Sequence, residues 1–273
     1  MNWLLLRGLG RVKEHWLDVP EKLIEKIKSM NTGGGHVLCL DLPGFGTEVD
    51  QSVPLTIAGN TDYLREKFLE TRPEEGKDSW CLLGLSLGGM IALDWAARYR
   101  SDFRKLVVIN SSARDVSPLL QRLTPYALYS ASRMAFARNA REREKQSLKL
   151  ISNLRASDPE LLKAMVAIAE KHPSLRDKIA LQATAAGVFN CPSQVHIPTL
   201  IVSSIKDRMV DSRCSKTIAE KLSLTATDSS PVTIKFHPTA GHDLPLDDAD
   251  WLIDLIVDEK TYTEKTYTHT PLA

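Results

Sequence analysis

The stretch Trp80-Cys81-Leu82-Leu83-Gly84-Leu85-Ser86-Leu87-Gly88-Gly89 determines how the rest of this sequence is interpreted. Its apolar first half predicts a buried strand, and the amphipathic residues 90–99 predict a helix. A G-x-S-x-G motif between a strand and a helix is the context of a nucleophile elbow, a sharp turn that lifts the serine hydroxyl above the sheet. Glycines flank the serine because the turn leaves no room for side chains. We therefore predict that Ser86 is a nucleophile; the alternative is a glycine-rich turn with an inert serine.

A serine hydroxyl needs a base that removes its proton, and a histidine is the usual choice. His242 lies in Ala240-Gly241-His242-Asp243, which follows the last apolar run, residues 232–236, and precedes a predicted helix. His237 is closer to the end of that run and is the alternative. We predict that His242 is the base.

A third residue must orient the imidazole and stabilise its charged form. Asp207 follows the next-to-last apolar run and is the candidate. Asp211, four residues further on, and Asp115 remain alternatives. Asp243 is adjacent to His242 and cannot easily fold back onto its ring.

Short apolar runs alternate with amphipathic segments along most of the chain, which is typical of a parallel sheet with helices on both faces. The runs show little alternation, so we expect strands that are buried on both faces. The predicted strands are Trp3–Leu6, His36–Leu40, Ser79–Leu83, Lys105–Ile109, Thr199–Ser203 and Val232–Phe236. The predicted helices are Glu21–Met30, Ile57–Glu70, Leu87–Tyr99, Arg213–Leu222 and Leu246–Asp258.

Residues 114–195 contain no convincing strand, and they predict a helical insertion between two parts of the core, residues 1–113 and 196–259. The helical patterns inside the insertion are Pro118–Arg143, Lys145–Asn153, Pro159–Lys171 and Ser174–Ala186. Residues 260–273 are rich in Thr, Tyr and Lys and predict a flexible tail.

The composition excludes several classes of protein. The 273 residues carry a formal net charge of +1, which argues against a nucleic-acid partner. The four cysteines form no C-x-x-C pair and no zinc-binding spacing, and Cys39 and Cys81 lie in apolar runs, so we expect buried thiols, no metal and no cofactor. No signal peptide and no stretch of ~20 apolar residues is visible. We expect a cytoplasmic protein whose partner is a small molecule and not a membrane.

Four motifs together resemble those of the α/β-hydrolase superfamily: the elbow at residues 84–88, Asp207, Gly241-His242, and Asp41-Leu42-Pro43-Gly44-Phe45-Gly46, which is similar to the family's D-x-P-G-x-G loop. The order of serine, aspartate and histidine along the chain is also that of the family. The resemblance implies an α/β-hydrolase fold. Because the first strand already starts at Trp3, we expect a shortened, mainly parallel sheet of about six strands.

The resemblance also implies an oxyanion hole made of two backbone amides. One belongs to Leu87, the residue after the nucleophile, and the other to Leu9, in the loop after the first strand. Relatives usually have His-Gly in that loop, whereas this chain has Arg7-Gly8. We expect Arg7 to tether the loop through its several donors; a contact to a substrate carboxylate is the alternative.

In this resemblance the insertion corresponds to a lid, which would cover the pocket and exclude water. Its apolar residues Leu119, Leu123, Tyr126 and Met134 are candidates for a substrate pocket. The alternative for each of them is packing between the lid and the core.

The implied activity is that of a serine hydrolase, and we expect a carboxylesterase that forms an acyl-enzyme on small to medium ester substrates. The same residues would also suit thioesters, carbon–carbon bonds of diketones or cofactor-free perhydrolysis, and a binding module without turnover is a further alternative. The motifs are specific for the fold and much less specific for the substrate.

Overall fold

The computed structural model describes residues 1–30, 35–74, 79–173 and 176–262 of the chain. Six strands form a single sheet in the order β2-β1-β3-β4-β5-β6, and every neighbouring pair is parallel. The strands are β1 (Asn2–Leu6), β2 (Val37–Leu40), β3 (Trp80–Leu85), β4 (Lys105–Ile109), β5 (Thr199–Ser204) and β6 (Val232–His237). This confirms the predicted sheet of about six parallel strands.

Two strands differ from the expectation of complete burial. β2 is half-buried along its whole length, and the middle of β6 is half-buried as well. Both lie at the edges of the sheet, where one side has no neighbouring strand from the described part of the chain. Cys39 on β2 is therefore half-buried, whereas Cys81 on β3 is fully buried, and burial raises the pKa of both thiols to about 12.

Helices cover both faces of the sheet, as the alternation of the sequence predicted. The helices are α1 (Val19–Ser29), α2 (Ile57–Thr71), α3 (Leu87–Arg98), α4 (Leu119–Arg122), α5 (Pro125–Ala135), α6 (Ala140–Ile151), α7 (Pro159–Lys171), α8 (Arg176–Val188), α9 (Arg213–Ser223), α10 (Leu244–Asp247) and α11 (Ala249–Val257). Short 3₁₀ helices occupy residues 13–16, 46–48 and 259–262. No helix among the described residues has the length and apolar content to cross a membrane.

Successive residues of each strand point to opposite faces of the sheet and thereby build two separate cores. On one face, Leu4 and Leu82 pack with α2, α3 and α9. On the other face, Leu5 and Leu83 pack with α1 and α11. The buried strands are mostly apolar because both of their faces lie under helices.

Five described helices, α4 to α8, lie between β4 and β5, where the sequence predicted a helical insertion. The helical pattern Pro118–Arg143 is not one continuous helix, because it is divided into α4, α5 and the start of α6. The side chains of Thr124 and Asn139 accept hydrogen bonds from backbone N–H groups and begin α5 and α6. Polar caps therefore interrupt an apolar pattern that looked continuous.

The C-terminal part differs from its prediction in two places. Leu246–Asp258 is not one helix, because Asp248 separates α10 from α11 and caps α11 by accepting from Trp251 N at 3.1 Å. The predicted tail, residues 260–273, begins inside the packed structure, since Thr261 and Tyr262 are buried. Residues 263–273 of this tail, like residues 174–175 of the last predicted insertion helix, lie outside the described residues.

An aromatic cluster under β3 provides a test of the core. The ring of Phe68 on α2 is fully buried and lies 5.1 Å from Trp80, 5.8 Å from Trp95 and 5.3 Å from Phe103, measured between centroids. We expect Phe68→Ala to lower the free energy of unfolding by about 3–5 kcal/mol, because it removes these contacts and leaves a cavity. Urea unfolding measures the change. The control is Phe136→Ala at an 86% exposed side chain, and an equal loss in both variants would contradict the packing described.

Candidate active site

Ser86 lies at the turn between β3 and α3 in a strained backbone conformation. Its φ of 57° and ψ of −115° are unusual for a residue with a side chain, and such strain persists only where surrounding contacts enforce it. Its N–H donates to Ile109 O at 2.8 Å, and its carbonyl accepts from Gly89 N at 2.9 Å. A third bond joins the Ser111 hydroxyl to the same carbonyl at 2.9 Å. The turn therefore holds Ser86 between the ends of two central strands.

The two glycines of the motif are required by the packing of backbone against backbone. A Cβ on Gly84 would overlap the carbonyl of Gly88, and a Cβ on Gly88 would overlap the carbonyl of Leu6 on β1. The helix start is thus pressed against the ends of two strands, with no space for a methyl group. This is the arrangement that the G-x-S-x-G pattern predicted.

His242 and Asp207 are joined by a hydrogen bond. The distance between Nδ1 of His242 and Oδ2 of Asp207 is 2.7 Å, and the two side chains are 6% and 1% exposed. The other carboxylate oxygen of Asp207 accepts from the backbone N–H groups of Met209 at 2.7 Å and Val210 at 3.0 Å. These bonds fix the carboxylate, which in turn fixes the tilt of the imidazole. The Nε2 side of the ring is thereby left for another partner.

The surroundings of His242 act on its pKa in opposing directions. Burial lowers the pKa, but the charge of Asp207 and the hydrogen bond to it raise the pKa, and Asp243 adds a smaller upward effect. Arg7 lowers it slightly, and the net result is a pKa above the ordinary value. The carboxylate of Asp207 therefore favours the charged imidazolium within a buried site.

The alternative residues lie elsewhere. His237 is bonded through Nε2 to Asp248 at 3.2 Å and through Nδ1 to Ala240 N at 2.9 Å, so its ring holds the loop together. Asp211 forms an ion pair with Arg213, and Asp115 forms one with Lys221. None of these three forms a hydrogen bond or ion pair with His242, and none lines the cavity that contains Ser86.

A cavity of about 170 Å³ lies over the elbow and is lined by both Ser86 and His242. Residues 7–11, the loop after β1, form one wall, and Met134 together with one face of α6 forms another. A neighbouring cavity of about 280 Å³ shares Gly10, Arg11 and Glu144 with it but contains neither Ser86 nor His242. The smaller cavity is therefore the one that combines both groups.

The loop after β1 comes close to the serine. A Cβ on Gly8 would lie 3.2 Å from Cβ and 3.7 Å from Oγ of Ser86. Leu9 lines the same cavity, and Leu87 is the first residue of α3, a position whose N–H has no acceptor within the helix. Leu87 thus adjoins Ser86 in the chain and Leu9 borders the same cavity, and their role as an oxyanion hole stays a prediction.

Arg7 forms a buried ion pair with Asp243. Both side chains are almost completely buried, with Nη1 of Arg7 at 3.2 Å from Oδ1 and Nη2 in direct contact with Oδ2. The guanidinium also lies over the ring of Trp16, 4.7 Å from its centroid. The predicted tether by Arg7 therefore joins the loop after β1 to the residue that follows His242.

Asn110 also belongs to this arrangement, although the sequence motifs did not point to it. Its side-chain amide donates to His242 O at 2.8 Å and its carbonyl accepts from Ser204 N at 2.8 Å. It links the ends of β4 and β5 to the histidine loop. A polar residue with a carboxamide directly after an apolar strand was the signal that could have identified it.

Of the four predicted pocket residues, Met134 lines the cavity and the other three do not. Leu119 is 69% exposed, Tyr126 is 40% exposed, and Leu123 packs against a cluster formed by α5, α6 and α7. The face of α6 with Arg143, Glu144, Ser147, Leu150 and Ile151 takes their place. The spacing of these residues is that of one helix face, but the charges at its start obscured it.

Among the described residues, no group of three or more His, Cys, Asp and Glu side chains is placed to hold a metal ion. The polar side chains of the cavity carry two alcohols, an imidazole, carboxylates and guanidinium groups.

The parallel six-stranded sheet, with a strained serine after β3 and a histidine after β6, defines an α/β-hydrolase. The family model described as "Serine aminopeptidase, S33" matches residues 21–249. The chain belongs to this family of α/β-hydrolases, as the resemblance in the sequence implied.

Curated relatives and solved structures agree with this assignment. The monoacylglycerol lipase ABHD6 of Mus musculus is 25% identical over 230 residues, which cover 81% of this chain. This chain spans only 66% of the length of that relative. An esterase from Exiguobacterium antarcticum has a TM-score of 0.72 at 16% identity, covering 94% of this chain and 90% of its own. An esterase from Thermogutta terrifontis has a TM-score of 0.68 at 18% identity, with 96% and 91% covered.

The bond between Asp207 and His242 predicts how the imidazole titrates. We expect Asp207→Asn to lower the pKa of His242 below its ordinary value of about 6.5, because the lowering by burial then loses its main opposing effect, the charge and hydrogen bond of Asp207. An NMR titration of the ring protons measures the change. The matched control is Asp211→Asn, four residues away and paired with Arg213, which leaves the pKa of His242 in place. A larger shift in the control would assign the role to Asp211.

Proposed function

We propose that this protein is a carboxylesterase in which Ser86 is the nucleophile, His242 the general base and Asp207 the residue that orients His242. The observation that carries the proposal is the buried 2.7 Å hydrogen bond between His242 and Asp207 beside a cavity that His242 shares with Ser86. A strained serine at the start of a helix supports it, since that geometry exposes the hydroxyl and directs free backbone N–H groups towards developing negative charge.

In the proposed reaction His242 removes the proton of Ser86 as its oxygen attacks an ester carbonyl. The Leu9 and Leu87 amides donate to the oxyanion, and Asp207 stabilises the imidazolium. His242 then gives its proton to the leaving alcohol, which leaves an acyl-enzyme on Ser86. Water, deprotonated by His242, attacks this ester, and collapse of the second oxyanion releases the acid and restores the hydroxyl.

The charges of the cavity favour an ester over a peptide with a free amino terminus. Two carboxylates line the cavity, and both are paired: Asp243 with Arg7, and Glu144 with Arg11 at 2.9 Å. Among the described residues that line the cavity, no carboxylate is free to hold an ammonium group. We therefore do not propose aminopeptidase activity for this chain, although the family model is described by that name.

The named relatives are consistent with an ester substrate. They include a monoacylglycerol lipase and two esterases. Since this chain spans only 66% of the length of the lipase, we do not propose a monoacylglycerol as its substrate on the basis of that similarity. The lid role of residues 114–195 and the cytoplasmic location stay predictions.

Removal of the nucleophile tests the proposal directly. We expect Ser86→Ala to abolish hydrolysis of p-nitrophenyl esters of increasing acyl length and labelling by a fluorophosphonate probe, because only an activated serine reacts with it. Ser132→Ala, at an exposed serine of α5, is the control and keeps both. Turnover or labelling that survives in Ser86→Ala would overturn the proposal. Labelling of the wild type without hydrolysis of any ester in the panel would point instead to thioesters or another acyl bond.

The close approach of Gly8 to Ser86 makes a second prediction. A Cβ added at residue 8 would lie 3.2 Å from Cβ of Ser86, which is closer than most Cβ contacts in proteins. We therefore expect Gly8→Ala to displace Ser86 by a few tenths of an ångström. We expect kcat to fall about tenfold or more while the urea midpoint changes little, because small displacements in a reacting pair are costly. The control Gly187→Ala places its methyl group where no atom lies within 4 Å. Equal rates in both variants would show that the loop after β1 does not limit the position of Ser86.

A further inference from the structure

One face of α6 forms a wall that extends from the histidine loop to a charged end. Ile151, at the C-terminal end of α6, accepts a hydrogen bond from Asp243 N at 2.8 Å, so this end adjoins His242. Leu150, Ser147 and Arg143 follow towards the N-terminal end and line the same cavity. Ile151 is eight positions after Arg143, which places their Cα atoms about 12 Å apart along the helix.

The charges along this wall do not balance. Asp243 is paired with Arg7, and Glu144 with Arg11, whose second nitrogen contacts the hydroxyl of Ser147. Arg143 is half-buried, and its guanidinium makes no hydrogen bond or ion pair with any of the described residues. Its neighbour Glu144 points to Arg11, and adjacent residues of a helix do not face each other. The cavity therefore has one guanidinium in excess, at the end away from His242.

We propose that Arg143 forms a subsite for a carboxylate, so that the preferred substrates are esters that carry a carboxylate at the far end of a chain. This inference rests on the proposed esterase function and names its substrate class. The space between the two ends is bordered by the apolar side chains of Leu150, Ile151 and Met134, which suit an aliphatic chain.

Arginine is suited to this role because its planar fork binds both oxygens of a carboxylate. The half-buried position strengthens the attraction relative to bulk water, and the paired acids beside it add little repulsion. A neutral ester of the same length would leave the guanidinium without a partner. The subsite therefore selects substrates by the charge at one end of the chain, while the ester at the other end is hydrolysed.

The test compares two pairs of esters that differ in one charge. Monomethyl suberate and dimethyl suberate place the carboxylate, or its neutral ester, on the acyl side. The anion 6-acetoxyhexanoate and its ethyl ester place it on the alcohol side. For each pair the ratio of kcat/KM, charged to neutral, is measured for the wild type, Arg143→Gln, Arg143→Lys and Arg141→Gln. Arg141 is the matched control because it has the same charge on the same helix but is exposed and does not line the cavity.

We expect Arg143→Gln to lower the ratio about fivefold in at least one pair, which is what a partly exposed charge pair contributes at its upper end. Arg143→Lys keeps part of the preference, and Arg141→Gln changes the ratio less than twofold. Added salt lowers the ratio of the wild type but not that of Arg143→Gln. The inference is overturned if Arg143→Gln leaves both ratios within twofold, or if Arg141→Gln lowers them equally.

A binding measurement separates this inference from the esterase proposal. Suberate is titrated calorimetrically into Ser86→Ala and into the double variant with Arg143→Gln, neither of which needs turnover. Weaker binding of suberate to the double variant than to Ser86→Ala supports the subsite. If the wild type at the same time hydrolyses none of the four esters, only the esterase proposal fails. Equal binding in both proteins, or no binding to Ser86→Ala, overturns the subsite while ester hydrolysis still stands.

Discussion

The close packing of backbone against backbone at the start of α3 is the constraint on which the rest of the site depends. Gly84 faces the carbonyl of Gly88, and Gly88 faces the carbonyl of Leu6, so the helix begins directly against the ends of β1 and β3. Ser86 is held in a strained conformation by bonds from its backbone to Ile109 and Gly89. The free-energy cost of this strain is offset by the burial of both faces of the central strands under helices.

The histidine is positioned by several elements at once. Asp207 after β5 holds its ring, Asn110 after β4 holds its carbonyl, and the next residue, Asp243, is joined to both Arg7 after β1 and Ile151 at the end of α6. The loop is therefore fixed only when sheet and insertion are packed together. This explains why an arginine suits the position where related proteins usually have histidine: its ion pair ties the loop after β1 to the histidine loop.

Buried charges in this site occur in pairs, and this has an energetic reason. Taking a lone carboxylate or guanidinium out of water is costly, whereas a well-hydrogen-bonded pair offsets most of that penalty. Arg7 with Asp243 and Arg11 with Glu144 follow this rule. Arg143 departs from it at the edge of the cavity, where partial exposure keeps the cost of an unpaired charge low.

The parallel sheet, the helices on its two faces, the elbow at Ser86 and the membership of the α/β-hydrolases were predictable from the amino-acid sequence, because these depend on local apolar patterns and on glycines that a tight turn requires. The sequence also singled out His242 and Asp207, although their meeting is a property of the folded chain. Three contacts are visible only in the folded chain: Asp207 and not Asp211 is bonded to His242, Arg7 is paired with Asp243, and a face of α6 lines the cavity in place of Leu119, Leu123 and Tyr126. The physical reason is that these outcomes depend on how loops from β1, β4, β5 and β6 and a helix of the insertion meet, and contacts between distant segments leave no periodic signal in a single sequence.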